Sequence, residues 1–119
     1  MKTQAIKFLA SKVRLSQREI DVLQKTAALI TQDWEQAELW LFGSRTDLAA
    51  KGGDIDLLLW INANIENPRQ IKRSFQNKVH EALGEQKIDL LLVSLNHPET
   101  AFAKLARLEG VRLWTKEKL

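Results

Sequence analysis

Cysteine is absent from this chain of 119 residues. Its absence excludes disulfides, thiolate zinc sites and a cysteine nucleophile. The two histidines, His80 and His97, are too few for a zinc site of three or more imidazoles. No apolar run reaches the roughly 18 residues that a membrane span requires, and the N-terminus lacks the apolar core of a signal peptide. We therefore expect a cytoplasmic protein with no membrane partner.

The chain also has little excess charge of one sign, since it has 18 basic and 15 acidic residues and a formal net charge of +3. The dense Lys/Arg stripe typical of DNA-binding proteins is missing, so direct nucleic-acid binding is not expected. Arg69, Lys72 and Arg73 share one helical face. That face predicts a solvated surface, and contact with a partner or with RNA is the alternative.

Proline and glycine are few, with two and five residues, and no low-complexity tract or long linker interrupts the chain. We therefore predict one domain over residues 1–119. It comprises an N-terminal helical segment over about 1–35 and a catalytic core over about 36–119.

Periodic apolar residues predict alternating helices and strands. Ser16 and Glu19 have the capping-box spacing at the start of a helix that fades near Asp33, and a shorter helix is predicted over 3–13. The remaining predicted elements are a strand over 39–42 buried on both faces, a strand over 55–61, a helix from Pro68 to Gly84, a strand over 88–93, a helix from Pro98–Glu99 to Gly110, and an edge strand over 111–114. This order predicts an α/β fold, a small mixed β-sheet flanked by helices.

Three aspartates stand at the heads of two of these strands. Asp54 and Asp56 are two residues apart, so both side chains point to one face with Cα atoms about 6.5–7 Å apart. Asp89, at the start of a neighbouring strand, joins them across a strand spacing of about 4.8 Å. Three such carboxylates repel one another and must take up protons or hold a cation. Oxygen-only ligands favour Mg²⁺ or Mn²⁺ over zinc.

A shared site for the three aspartates constrains the topology. Their two strands must run parallel, with residues 68–83 as a right-handed crossover helix. If the Gly43-Ser44 pair lies at the same end, the first two strands are antiparallel. Gly43 permits a sharp turn, and Ser44 with the amides that follow builds a cradle for phosphate. Arg45 either adds positive charge to this cradle or braces the loop.

The combination Phe42-Gly43-Ser44-Arg45, Asp54-Ile55-Asp56-Leu57 and Ile88-Asp89-Leu90 resembles the nucleotidyltransferase motif of the DNA polymerase beta superfamily. The small size is similar to that of the minimal nucleotidyltransferases. The resemblance covers residues 39–93, and residues 108–114 look more weakly like the family's usual ending.

The resemblance implies a polymerase-beta-type fold and a mechanism. Gly43, Ser44 and Arg45 would bind the nucleotide, with the β- and γ-phosphates of ATP against Gly43 and Ser44. Asp54, Asp56 and Asp89 would be the catalytic and metal-binding residues, holding two Mg²⁺ ions, or Mn²⁺, for in-line displacement at the α-phosphate.

The resemblance also implies a partner. Many similar proteins are antitoxins paired with a ribonuclease toxin of the HEPN (higher eukaryotes and prokaryotes nucleotide-binding) family, and some transfer AMP to a tyrosine of that toxin. The corresponding expectation is a protein adenylyltransferase. The alternative is a subunit that binds nucleotide without catalysis and neutralises its partner by masking it.

Two positions depart from the family pattern. Relatives often carry glycine shortly after the Ser-Arg pair, where this chain has Thr46-Asp47-Leu48. Many have serine directly before the Asp-x-Asp motif, where this chain has Gly53. All three acids are present, so neither difference indicates an inactive site.

Overall fold

A computed structural model describes residues 9–117 as a four-stranded sheet flanked by helices, with strand order β3-β2-β1-β4. Its elements are α1 (Gln17–Ile30), β1 (Ala37–Phe42), a 3₁₀ turn (Gly43–Thr46), β2 (Ile55–Ile61), α2 (Pro68–Leu83), β3 (Ile88–Ser94), α3 (Ala101–Glu109) and β4 (Val111–Lys116). The α/β fold with a small mixed sheet, predicted from the sequence, is confirmed.

The strand directions agree with those that a shared aspartate site requires. β2 and β3 are parallel neighbours, and α2 connects them. β1 pairs antiparallel with both β2 and β4. The end of β1, the start of β2 and the start of β3 therefore meet at one end of the sheet, with β4 at the outer edge as predicted.

The two faces of the sheet carry two apolar cores. Odd-numbered residues of β1 and β2 pack with α1 and α2 in the larger core, where Leu39, Leu57, Ile20 and Phe75 are fully buried. The smaller core, on the other face, joins Leu58 of β2 to α3. The sheet is therefore well covered on one face and only partly covered on the other.

The prediction that β1 is buried on both faces is wrong. Buried and half-buried residues alternate along it, because its even-numbered side chains, Trp40 and Phe42, lie on the thinly covered face around the smaller core. The short helix α3 is the main element covering that face, so part of it remains open beside the start of β2.

Helix boundaries follow the local capping chemistry. Ser16 and Glu19 form the predicted capping box, Pro68 is the first residue of α2, and Gly84 ends it with φ +77°. The predicted start of α3 at Pro98–Glu99 is wrong. The helix begins at Ala101, because the Thr100 side chain accepts a hydrogen bond from the Ala103 N–H and caps it there.

The shorter helix predicted over 3–13 lies only partly within the described residues, of which 9–12 are helical. No helix in the part of the chain that the structure covers combines the length and apolar character needed to cross a bilayer. The predicted division into an N-terminal segment and a catalytic core stays a prediction.

Candidate active site

Asp56 and Asp89 lie side by side on the parallel strands β2 and β3. They are register partners, at the second position of each strand. Because side chains alternate along a strand, both carboxylates point to the thinly covered face of the sheet. Asp54 precedes β2 by one residue. The topology thus brings the three predicted aspartates to one end of the sheet.

The electrostatics of Asp56 show that the three carboxylates interact. Burial raises the pKa of Asp56 above its ordinary value, and the negative charges of Asp89 and Asp54 raise it further. Each cause disfavours the ionised form. A cation beside Asp56 would offset both the burial and the repulsion.

The side chains are not closed around a metal ion as they stand. Within residues 9–117, no group of three or more acidic or histidine side chains is arranged to hold one. The Asp54 carboxylate instead lies 3.6 Å from Lys87 Nζ, and the two side chains are 38% and 80% exposed. Such an exposed pair contributes little stability, so Asp54 is free to exchange Lys87 for another cation. The all-oxygen donor set itself fits Mg²⁺ or Mn²⁺.

The Gly43-Ser44 turn lies directly against Asp56. Phe42, the last residue of β1, is the register partner of Asp56, so the chain turns beside that carboxylate. Gly43 has φ +75°, and a Cβ placed on it would overlap Asp56 Oδ2. Both the conformation and the space therefore require glycine. Ser44 follows on the 3₁₀ turn.

A model of the nucleotidyltransferase domain family matches residues 23–110, about three quarters of the chain. The chain belongs to the nucleotidyltransferase domain family. Its general function is nucleotidyl transfer, and the fold is consistent with the polymerase-beta type. No curated protein matches the chain.

Within this nucleotidyltransferase domain, Gly53 is explained by its neighbour Ser44. Gly53 has φ +90°, and a Cβ placed on it would overlap Ser44 Oγ. A serine at this position would be strained in conformation and would displace the Ser44 hydroxyl. The glycine that departs from the family pattern is therefore matched to the way this chain folds its 43–53 loop.

Arg45 braces the loop, which is one of the two roles that the sequence left open. Its Nη1 donates to Arg14 O at 2.8 Å and its Nε donates to Gly53 O at 3.3 Å. These bonds connect the start of the loop to its end and to the segment before α1. Contact between Arg45 and a nucleotide stays a prediction.

A cavity of about 280 Å³ opens beside the turn. Its lining comprises Phe42, Gly43, Thr46, Phe102, Leu105, Ala106 and Glu109. Phe42 and Phe102 pack edge to face, with ring centroids 6.0 Å apart and planes at 78°. The cavity reaches Gly43, whose turn packs against Asp56, and most of its lining side chains are apolar.

Sequence reasoning missed three features of this site. Phe102 and Leu105 are large apolar residues of α3, yet each is 57% exposed, because α3 buries mainly its small residues Ala103 and Ala106. Lys87 gave no signal as a partner of Asp54. Arg14 gave none as a partner of the loop, since its contacts span 30 to 38 residues of sequence.

Proposed function

We propose that this nucleotidyltransferase transfers AMP from ATP to an acceptor hydroxyl in a reaction that depends on Mg²⁺. The observation that carries the proposal is the placement of Asp56 beside Asp89 on parallel strands, with the Gly43 turn packed against Asp56. The Gly43-Ser44 turn, as the proposed triphosphate cradle, would then stand beside the carboxylates that nucleotidyl transfer requires.

The three carboxylates are the proposed metal ligands. Asp54, Asp56 and Asp89 would hold two Mg²⁺ ions, and Mn²⁺ would serve equally well. When bound, the ions would neutralise charge on the triphosphate and on the attacking and leaving oxygens. Asp54 would release Lys87 as it takes up its share of the metal. The raised pKa of Asp56 supports this assignment, because the cluster repels itself without a cation.

The turn would orient the triphosphate, and the aspartates would take part in the transfer itself. Gly43 and Ser44 would orient the β- and γ-phosphates, while Arg45 keeps the turn in shape. The acceptor oxygen forms a bond to the α-phosphorus, the bond from that phosphorus to the β-bridging oxygen breaks, and pyrophosphate leaves. The hydroxyl proton passes to Asp89, which lies on the edge strand β3 and is exposed.

The proposed acceptor is a tyrosine of a HEPN-family toxin, which would make this protein an antitoxin of the minimal nucleotidyltransferase type. Phe102, Leu105 and Leu108 support a protein acceptor, because these α3 side chains are 57–64% exposed and the first two line the cavity beside Gly43. Exposed apolar side chains of this size are typical of interaction surfaces.

Isotope position tests the reaction directly. ATP labelled at the α-phosphate, incubated with Mg²⁺, this protein and the proposed HEPN-family partner, is expected to label the HEPN protein, whereas ATP labelled at the γ-phosphate is not. Replacing the acceptor tyrosine with phenylalanine, or Asp56 with asparagine, should abolish the label. Label from the γ-phosphate, or label that survives Asp56→Asn, would contradict the proposal.

The second candidate is neutralisation by masking, with nucleotide binding that is not catalytic. The exposed α3 side chains favour it, because they provide a docking surface that needs no chemistry. The two candidate functions predict different results for the variant Asp56→Asn. If Asp56→Asn loses labelling yet still neutralises the toxin at equal concentration, masking is sufficient. If neutralisation is lost along with labelling, transfer is the function.

A further inference from the structure

Arg14 is the residue whose contacts the proposed function has not used. It lies ahead of the family match at residues 23–110, on the segment before α1. Its guanidinium nevertheless donates three hydrogen bonds to the loop that carries Ser44. Nε donates to Asp47 O at 2.8 Å, and Nη2 donates to Ser44 O at 3.1 Å and to Gly52 O at 2.7 Å.

These three carbonyls come from the start, the middle and the end of the loop. One planar group with fixed donor directions therefore ties together backbone positions that are eight residues apart in sequence. Ser44 O also accepts from the Asp47 N–H at 3.1 Å. The carbonyl behind the predicted phosphate-binding hydroxyl is thus held from two directions.

Main-chain bonds complete the connection between Arg14 and Arg45. The Arg14 N–H donates to Arg45 O at 2.8 Å, and Arg45 Nη1 returns a bond to Arg14 O at 2.8 Å. Each arginine therefore fixes the backbone of the other. The result is a reciprocal clamp between the segment before α1 and the first turn of the loop.

The segment that carries Arg14 is itself anchored. Val13 and Leu15, on either side, are 2% and 5% exposed and belong to the larger core. Because both neighbours are buried, the Arg14 backbone is held close to the loop by the core as well as by its bonds to Arg45. This anchoring lowers the backbone part of the entropy cost of the contacts, whereas the long side chain still loses rotamer freedom when it is ordered.

We infer that Arg14 is a positioning residue, which holds the 43–53 loop in the shape that places Gly43 and Ser44 beside Asp56. The inference rests on the proposed function for its catalytic consequence. The structural part of the inference is that the loop loosens when this guanidinium is removed, and it does not depend on any activity. Arg14 acts through the loop and does not itself contact the carboxylates.

Hydrogen–deuterium exchange tests the structural content. The amides of Asp47, Ala49 and Ala50 are hydrogen-bonded within the loop, so they report its order. Arg14→Ala should speed their exchange by tenfold or more while leaving exchange in the strands unchanged. Arg18→Ala is the matched control, because Arg18 donates to Ala82 O at 2.9 Å, away from the loop. Equal loop exchange in the Arg14 variant and in the wild type would overturn the inference.

Steady-state kinetics of AMP transfer test the catalytic consequence. Arg14→Ala should lower kcat/KM by about 10- to 100-fold, since displacement of a positioning group by about 1 Å has effects of this size. Arg14→Lys, which keeps charge but not the planar fork, should lie between. Arg18→Ala should stay within twofold. A loosened loop with unchanged kcat/KM would overturn the positioning role.

The inference stays testable if the Arg14→Ala variant does not fold or if the wild-type protein is inactive. If Arg14→Ala does not fold, Arg14→Lys is measured in both assays, and wild-type values in both would overturn the inference. If the wild-type protein transfers no nucleotide and binds no ATP, the proposed function fails, and so does the catalytic consequence. Loop exchange in the Arg14 variants still supports or overturns the clamp in that case.

Discussion

Gly43→Ala and Gly52→Ala form a matched pair that measures how closely the turn packs against Asp56. Both glycines lie in the same loop region with positive φ, +75° and +62°. A Cβ on Gly43 would overlap Asp56 Oδ2, whereas a Cβ on Gly52 meets nothing within 4 Å. Any difference between the two variants therefore comes from the carboxylate.

The loss of unfolding free energy that is common to the two variants is small. Placing a non-glycine residue in the left-handed region costs about 1–2 kcal/mol, and the stiffer unfolded chain returns about 0.4–1 kcal/mol. Gly52→Ala should therefore lose roughly 0–1.6 kcal/mol of unfolding free energy. For a domain of this length about 1 kcal/mol corresponds to roughly 4 °C in Tm. Gly43→Ala should lose about 0.5–1.5 kcal/mol more, the cost of moving Asp56 off its rotamer.

Urea denaturation and isothermal titration with a magnesium complex of a non-hydrolysable ATP analogue measure the two consequences. Gly43→Ala should be the less stable variant and should bind the analogue at least tenfold more weakly than the wild type. Gly52→Ala should bind within twofold of the wild type. Equal stability and equal affinity in the two variants would refute the packing of this turn against a metal-binding carboxylate.

Three other variants give separate tests. The folded pKa of Asp56 lies above its ordinary value of 3.8. The contribution of this carboxyl group to the free energy of unfolding is therefore fully present below pH 3.8 and is lost as the pH rises through the folded pKa. Asp56→Asn should therefore raise the free energy of unfolding of the metal-free protein at pH 7 by under about 1 kcal/mol, which is measured as a higher Tm, and the gain should vanish near pH 3. Lys87→Ala should tighten Mg²⁺ binding by about 1.5- to 5-fold in calorimetry, because Asp54 loses a competing cation worth about 0.2–1 kcal/mol. Ser16→Ala removes the α1 capping box and should cost about 1 kcal/mol in thermal denaturation followed by circular dichroism, whereas an unchanged Tm would contradict that role.

The sheet could be predicted from sequence because its chemistry is local. β2 was predicted over residues 55–61 and forms over those residues, because a continuous apolar run bounded by polar residues defines a buried strand. The parallel pairing of β2 with β3 followed from one assumption, that Asp56 and Asp89 serve one site. The parallel pairing is confirmed, and the register places the two residues side by side, whereas their service in one site stays a prediction.

The parts that failed have two causes, a competing local signal at the start of α3 and tertiary contacts elsewhere. Thr100 sets the start of α3 by a cap that competes with the proline signal at Pro98. The exposure of Leu105 depends on how α3 sits on the sheet, which helical periodicity does not encode. The Arg14 contacts join positions 30 to 38 residues apart, so no local sequence pattern predicts them.

Diffraction from crystals grown with Mn²⁺ and a non-hydrolysable ATP analogue tests the assignment of the site most directly. Manganese is predicted to give anomalous density between the carboxylates of Asp54, Asp56 and Asp89, with Lys87 displaced and the triphosphate against Gly43 and Ser44. Manganese bound elsewhere, or a nucleotide bound away from this turn, would contradict the assignment of these residues to nucleotidyl transfer.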